Sequence, residues 1–501
     1  MVIFTENLMR HVLRISFSIL TACLFLICCQ KDDILTDSSA RLEFSTDTIY
    51  FDTVLVSLGS LTHYFTVVNP YDQPLEISRI HVAGGDASFF RLNVNGINGN
   101  ELRNVKIARK DSIYIFVEVT IDPLNTNNPL LIKDSVIFDL NSRQQDVKLI
   151  AYGQDVILFR NEVFRSQSWT SDKPYLIVDN AALDFDETLT IGPGTKIFLT
   201  PNSSLLVWGT IQAAGTYENP IVFSGARFDG GYEETAGQWG TIFIHEKSTG
   251  NSLQNVIIKN AVAGLQVGYP VEDCIASVEL NNCIILNSAG VGIYAFSSNI
   301  NAYNTIIADC GTMAVLIQMG GNYNFYHCTI SNVAAYYPNS YYEGNYGRRS
   351  SSQPSLVFTN YYTGLDLDED YRIIESTIPQ DLHLNFYNSI IDGVLDNEVY
   401  FDTLNLAGLD YIFDHCMLKV HKDTLHIFDT NRFVSVIYSE DPLFLNDSIA
   451  KGPYDFTPGI NSPAIDAGNP LTISGIPQLL LDFAGNPRNV PDIGAIEQTE
   501  Q

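Results

Sequence analysis

The sequence predicts an all-β chain in two parts, a β-sandwich followed by a parallel β-helix. Three observations carry that expectation. Short runs that alternate apolar and other residues fill the stretch from about Leu42 to Asp155, the period-two pattern of half-buried strands. Beyond it a motif keeps returning, as "LQNVIIKN", "LNNCIILNS", "FYHCTISN", "FYNSIIDG" and "FDHCMLKV", and repetition at solenoid period means stacked coils. Between about Leu42 and Asp155 no segment reads as a convincing helix.

Residues 1–28 read as a signal peptide. Arg10, His11 and Arg14 lead into "ISFSILTACLFLICC", an apolar run too short and too early for a spanning helix. The run closes on "LICC" before "QKDD". A Leu, a short residue and a Cys at that point resemble the lipobox of bacterial lipoproteins. The resemblance implies a lipid on Cys29, an outer-membrane anchor and a tether over 29–41. Lys31, Asp32 and Asp33 resemble the short acidic export signal of surface-exposed lipoproteins in one group of Gram-negative bacteria, which implies the cell surface. Three of the eight cysteines, Cys23, Cys28 and Cys29, lie in the leader and at its boundary; the other five are Cys274, Cys283, Cys310, Cys328 and Cys416. An odd number leaves at least one thiol free, and no Cys-x-x-Cys spacing suggests a zinc site.

Residues 42–155 read as the sandwich. In "DSIYIFVEVTIDP", Ile113, Ile115, Val117, Val119 and Ile121 share one face. "HYFTVVNP", "DSVIFDL" and "QDVKLIAYG" are further strands, and "NPYDQP" and "NTNNP" are turn clusters at sandwich spacing. The segment resembles the immunoglobulin-like domains that bacterial envelope proteins place between anchor and functional end, which implies a spacer more than a binder.

Residues 156–460 read as the β-helix. Asn255, Asn282, Asn304, His327, Asn388 and His415 align in one column, at intervals of 27, 22, 23, 61 and 27. Three positions on stand Ile258, Ile285, Ile307, Ile330, Ile391 and Leu418, and two positions back stand Leu253, Leu280, Ala302, Phe325, Phe386 and Phe413. A strand with an inward and an outward face therefore leads into each column residue, and a second strand leads away. Asn suits the bend between them because it enters the left-handed region cheaply. Small residues follow it: Val256, Cys283, Thr305, Cys328, Ser389 and Cys416. Cys283 and Cys328 fall two rungs apart, roughly 9.6 Å, beyond disulfide reach. The next column, Ile257, Ile284, Ile306, Thr329, Ile390 and Met417, is apolar and is left unassigned to either face. "LTIGPGTKIFLTPNSSLLVWGTIQAAGTYENPIVFSG" and "GQWGTIFI" resemble the opening coils of right-handed β-helix proteins of the pectate-lyase-like superfamily. The fold class is thus an N-terminal immunoglobulin-like sandwich followed by a right-handed parallel β-helix, the handedness coming from the resemblance.

At the C-terminus, "SPAIDAGNP", "LDFAGNPRN" and "PDIGAIE" are similar to the closing segment of many exported bacterial β-helix proteins. The resemblance implies a cap over 461–501 that covers the last coil, with Asp466, Asp482, Arg488 and Asp492 as its polar pins.

The interval of 61 marks an insertion at about 333–381, with eight tyrosines, the basic pair Arg348 and Arg349, and the acidic run "DLDED". Solenoid insertions fall on one face, often the binding face. Tyr341, Tyr342, Tyr346, Tyr361 and Tyr362 offer flat apolar rings with a hydroxyl, suited to sugars and peptides alike. Arg348 and Arg349 suit a carboxylate or sulfate. Asp366, Asp368 and Asp370 alternate in a way that suits one Ca²⁺, without the glycine of an EF-hand loop.

Composition narrows function. With 28 Lys+Arg against 57 Asp+Glu the formal net charge is −29, a field that repels nucleic acid. The "NTD", "GHG" and "RIK" motifs of pectin-cleaving hydrolases are absent, and His245 stands without a visible partner in the sequence. The leading expectation is a non-catalytic glycan-binding or adhesion protein. The alternatives are a polysaccharide lyase or glycoside hydrolase acting on an extracellular polymer, and a structural surface protein.

Overall fold

The computed structural model describes residues 33–499, apart from 57, 61, 122–129, 229–234, 334–352, 368–372, 422–428 and 448–452. The chain is all-β, with only two 3₁₀ turns besides strands among the described residues. Contacts divide it into two units at Gln154 and Asp155.

The first unit is a sandwich of two five-stranded sheets. One runs Glu43–Phe44, His63–Val68, Ser112–Val119, Phe90–Val94, Ile97–Asn98, antiparallel throughout. The other runs Thr48–Leu55, Arg143–Gln154, Leu130–Leu140, Leu75–Val82, Glu101–Ile107, and its first pair is parallel. Alternation decides the core. Ile113, Ile115, Val117 and Val119 are buried with Phe65, Val67, Leu75, Val147 and Leu149, while Tyr114 and Glu118 between them are exposed.

The second unit is one 26-stranded sheet with parallel pairings, wound so that most strands pair with the strand three places on. Three strands thus make a coil, as a parallel β-helix requires. The expected registers hold: Ile258 pairs with Ile285, then Ile307, Ile330, Ile391 and Leu418. Leu253 pairs with Leu280, Ala302, Phe325, Phe386 and Phe413. Inside the cylinder the rings of Phe325, Phe386, Phe413 and Phe433 stack at 4.7, 5.0 and 5.5 Å, because rung spacing equals a comfortable ring separation.

Every residue of the corner column has a positive φ, from 46° at Asn304 to 52° at Asn282, with His327 at 50° and His415 at 49°. A seventh corner, Ser435 at φ 50°, continues the column without an Asn or His to mark it. The small-residue column is buried, and all five described cysteines are free.

Two expectations change. The C-terminal segment does not confine itself to the last coil. It lies along the flank, where Phe456, Ala495, Phe483 and Ile496 pack on Ile284 and Ile306, and Ala464 and Ile493 pack on Ile390 and Met417. That resolves the unassigned column, which points out of the cylinder and is covered by this strap from Ile284 to Met417. Part of the interval of 61 is also coil: among the described residues, Leu356–Thr359 is an ordinary rung between Val315–Ile317 and Val399–Asp402, and it is followed by an antiparallel hairpin, Tyr361–Leu367 with Ile373–Pro379.

Arg488 anchors the strap. Its Nη2 donates to Asn304 Oδ1 (2.9 Å), Ala495 O (3.0 Å) and Gly494 O (3.2 Å), and its Nη1 donates to Glu497. Asp482 accepts the Asn486 and Glu497 amides, and Asp492 accepts those of Asp466 and Gln498. The polar members of the C-terminal motifs therefore hold turns. Burial pushes the Glu497 carboxyl up to about 7 against the pull of Arg488, since three acids share one guanidinium.

Candidate ligand-binding flank

The β-helix has three outer sheet faces, and each is treated differently. The strap covers the first. The second carries Tyr303, Tyr326 and Tyr387, stacked at 5.3 and 5.1 Å with planes within 9°. Beside them Asn324 donates to Asn301 at 2.8 Å and Asn385 to Asn324 at 2.7 Å. These ladders use their own faces and amides on each other, so they serve the stack.

The third face is different. Register aligns Leu206, Phe243, Gln266, Tyr294, Leu316, Val357 and Tyr400 in one outward column over seven rungs. None of the seven is charged, and Tyr400 is 52% exposed. A second outward column holds Trp208, His245, Gly268, Phe296, Gln318, Thr359 and Asp402, with Phe296 and Thr359 buried by their neighbours. Each aromatic stands between two inward residues, as Phe243 does between buried Ile242 and Ile244, so the strand pleat alone turns it outward.

Aromatic contacts organise both ends. Phe185, 49% exposed, lies 5.4 Å from Trp208 at 20° and 5.1 Å from His245 at 89°. His245 gains the partner the sequence did not show, Glu246 at 3.2 Å. Midway, the Tyr294 hydroxyl donates to Gln318 Oε1 at 2.7 Å, and burial pushes its phenol up to about 12, so it stays a neutral donor. Gly268 lies in the strand end between them with φ +79°. A Cβ there would meet Phe296 O at 2.5 Å and Cys274 Sγ at 2.7 Å, so the glycine permits the close pass of the next coil.

The hairpin forms the rim of this face. Tyr362 sets its ring 5.8 Å from Phe296 at 81°. Tyr361 donates its hydroxyl to Asp402 Oδ2 at 2.8 Å, a bond that holds the phenol above its ordinary value. At the hairpin base Gln380 Nε2 donates to Glu272 O at 2.6 Å, and its Oε1 meets Ser297 Oγ.

Of the sequence-predicted site residues, Tyr361 and Tyr362 are brought together with Asp402 and Phe296 at this rim. Asp366 lies in the hairpin opposite Ile374. Asp33 is exposed. Cys29, Lys31, Asp32, Tyr341, Tyr342, Tyr346, Arg348, Arg349, Asp368 and Asp370 lie outside the described residues. No group of three His, Cys, Asp or Glu suited to a metal occurs among the described residues. His327 is a buried corner residue whose Nε2 accepts from Asn388 Nδ2 at 2.8 Å, and burial keeps its ring neutral. The stripe escaped sequence reasoning, although "GTIFIH" and "VGIYAF" each set an aromatic at an outward strand position.

No protein-family model matches the chain, and neither does any curated protein. Distant matches occur among solved structures. A GH87 α-1,3-glucanase catalytic unit from Streptomyces thermodiastaticus is 10% identical, with a TM-score of 0.20, over 70% of this chain and 73% of that one. A family 123 glycoside hydrolase from Clostridium perfringens is 7% identical, with a TM-score of 0.17, over 24% of this chain. The E. coli chaperone DraB is 12% identical, with a TM-score of 0.16, over 22%. This chain spans only 30% of the Clostridium enzyme and 54% of DraB. Likenesses this weak carry no argument about what the chain does.

Proposed function

We propose that this chain is a cell-surface lipoprotein that binds a neutral, extended glycan along the third face of its β-helix. One observation carries the reading: seven successive rungs present an uncharged outward column, from Leu206 to Tyr400, in a chain of net charge −29. Six rung spacings make the stripe about 29 Å long. Aromatic rings interleaved with Gln266 and Gln318 suit pyranose faces and their hydroxyls. Outward apolar stripes mark interaction sites; here Tyr400 is exposed and the other six members are half-buried.

The two acids at the ends of this face stand too far apart to cleave a glycoside as a pair. Carboxylates that cleave glycosides stand about 5–9.5 Å apart. Glu246, which follows the second column, and Asp402, which lies in it, are five rungs apart, about 24 Å. The anchor rests on the lipobox-like "LICC" and on the acidic residues after Cys29.

The test is affinity electrophoresis of the exported chain through gels containing neutral polysaccharides (a β-glucan, a xylan, a mannan). Retardation by at least one is expected, and Phe243→Ala with Tyr400→Ala weakens it. Failure of every polymer to retard the wild type sinks the reading. Release of new reducing ends from a retained polymer would replace binding with hydrolysis. For the anchor, labelled fatty acid is expected on the wild type and absent from Cys29→Ala.

A further inference from the structure

The sandwich carries a second candidate site, within its own unit and independent of the β-helix flank. Its first sheet places Tyr64, Phe116, Asn93 and Asn98 directly opposite one another across four strands. All four lie on the outer face, since Phe65, Ile115, Val117, Leu92 and Val94 beside them fill the core. Tyr114 joins them from two residues before Phe116. The three rings form a cluster: Tyr64 lies 5.7 Å from Tyr114 and 5.9 Å from Phe116, while Tyr114 and Phe116 are 6.1 Å apart with planes 20° from parallel. Tyr64 is 61% exposed and Tyr114 46%. Two outward tyrosines on one solvent face are poor material for a mere spacer, whose outward positions are ordinarily polar.

Phe116 is also the wall of a cleft of about 890 Å³, shared with Arg91, Asn93, Asn98, Asn100 and Glu118. That volume is within the range of small-molecule sites, roughly 300–1,000 Å³. The lining is built to hydrogen-bond. Asn93 Nδ2 donates to Asn98 Oδ1 at 2.6 Å, which aims the Asn98 amide nitrogen away from its neighbour. Asn100 Oδ1 is buried in the lining with no donor among the described residues, and a buried acceptor left so costs about 1–3 kcal/mol.

Charge selects the ligand. Arg91 is the cleft's cation, and its Nη1 is already committed to Ser88 O at 2.5 Å and Phe90 O at 2.9 Å. Its cross-strand partner is Glu118, and Asp86 also lines the cleft. With two acids against one engaged guanidinium, on a chain of net charge −29, anionic ligands are repelled. Uncharged hydroxyls meet the amide partners of the lining, and a pyranose ring meets Phe116 in the cleft wall, with Tyr64 and Tyr114 clustered beside it on the same face. We propose that this platform and cleft form a second binding site for a neutral oligosaccharide. With the flank it would make the chain bivalent, and a polymer long enough to reach both sites would gain avidity.

The experiment is calorimetric titration of the exported chain with cellohexaose, laminarihexaose and mannohexaose, and with hexa-arginine as the basic alternative. The variants are Tyr64→Ala with Tyr114→Ala, both exposed, and separately Asn98→Ala. Circular dichroism checks that each folds. Flank substitutions Phe243→Ala and Tyr400→Ala are titrated in parallel. The expected result is one hexasaccharide whose binding falls roughly tenfold or more in the sandwich variants and persists in the flank variants. Three outcomes overturn the proposal: no binding by any hexasaccharide, binding unchanged in both sandwich variants, or hexa-arginine binding that Glu118→Gln abolishes while sugars give nothing. A flank failure leaves the sandwich arms readable, so the two sites are judged separately.

Discussion

Replacing Arg488 by Met is the sharpest test of how the β-helix keeps its strap. The side chain is fully buried and makes three hydrogen bonds through Nη2, besides its pair with Glu497. Removing one partner of a buried ion pair costs about 3–5 kcal/mol because the other charge is left uncompensated. Here Glu497 can take a proton, since burial already holds its carboxyl near 7, which puts the expected loss toward the lower end, about 3 kcal/mol near neutral pH. Met preserves most of the aliphatic volume, so cavity formation adds little. Urea unfolding followed by tryptophan and tyrosine fluorescence measures the loss. Limited proteolysis should find new cuts after residue 443, because the strap is released before the coils. Arg488→Lys should recover part of the loss, as one ammonium cannot reach both Glu497 and the carbonyls of Gly494 and Ala495. A change below about 1 kcal/mol with an unaltered digest would refute the anchoring role.

Phe386→Ala deletes a ring stacked on both Phe325 and Phe413 and should cost about 3–5 kcal/mol in urea unfolding; a loss under 1 kcal/mol would mean the column is not packed as described. Glu497 titrates with a folded value above its ordinary 4.5, so its contribution is fully present below about 4.5 and is lost as pH rises through 7. Thermal midpoints should therefore fall mainly between about pH 4.5 and pH 7, and Glu497→Gln should flatten that segment; a parallel profile in the variant would count against the assignment. Burial pushes the Cys283 and Cys328 thiols up to about 12 and raises Cys416 further. Thiol labelling of the native protein near pH 8 should spare all three and reach them only in denaturant, and rapid native labelling of any one would show an open coil.

Much of the architecture was legible because stacking makes it redundant. A coil must repeat its inward residues at each rung, so Ile258, Ile285 and Ile307 announce their own register, and an Asn at each bend announces the left-handed corner. The signal faded where chemistry allowed substitutes: Ser435 takes the same φ without the same letter. The strap was recognisable as a segment but not as a cover for Ile306 and Met417, since those contacts join residues 50 to 190 positions apart in a direction no local pattern specifies. The site was the least legible part. The tyrosines at 361 and 362 were visible, yet their partners Asp402 and Phe296 come from other coils.

What the chain's letters determined alone is periodicity: which residues face inward, where the backbone bends, and which classes of ligand a charge of −29 repels. Those depend on neighbours two to five residues apart, within reach of a pattern. Tertiary structure alone decided what the outward faces became. One is buried by the strap, one is spent on tyrosine and asparagine ladders, and one is left as an uncharged stripe. An outward residue acquires its role from the rung above and below, which lie 20 to 60 residues away in the chain but only about 4.8 Å away in space.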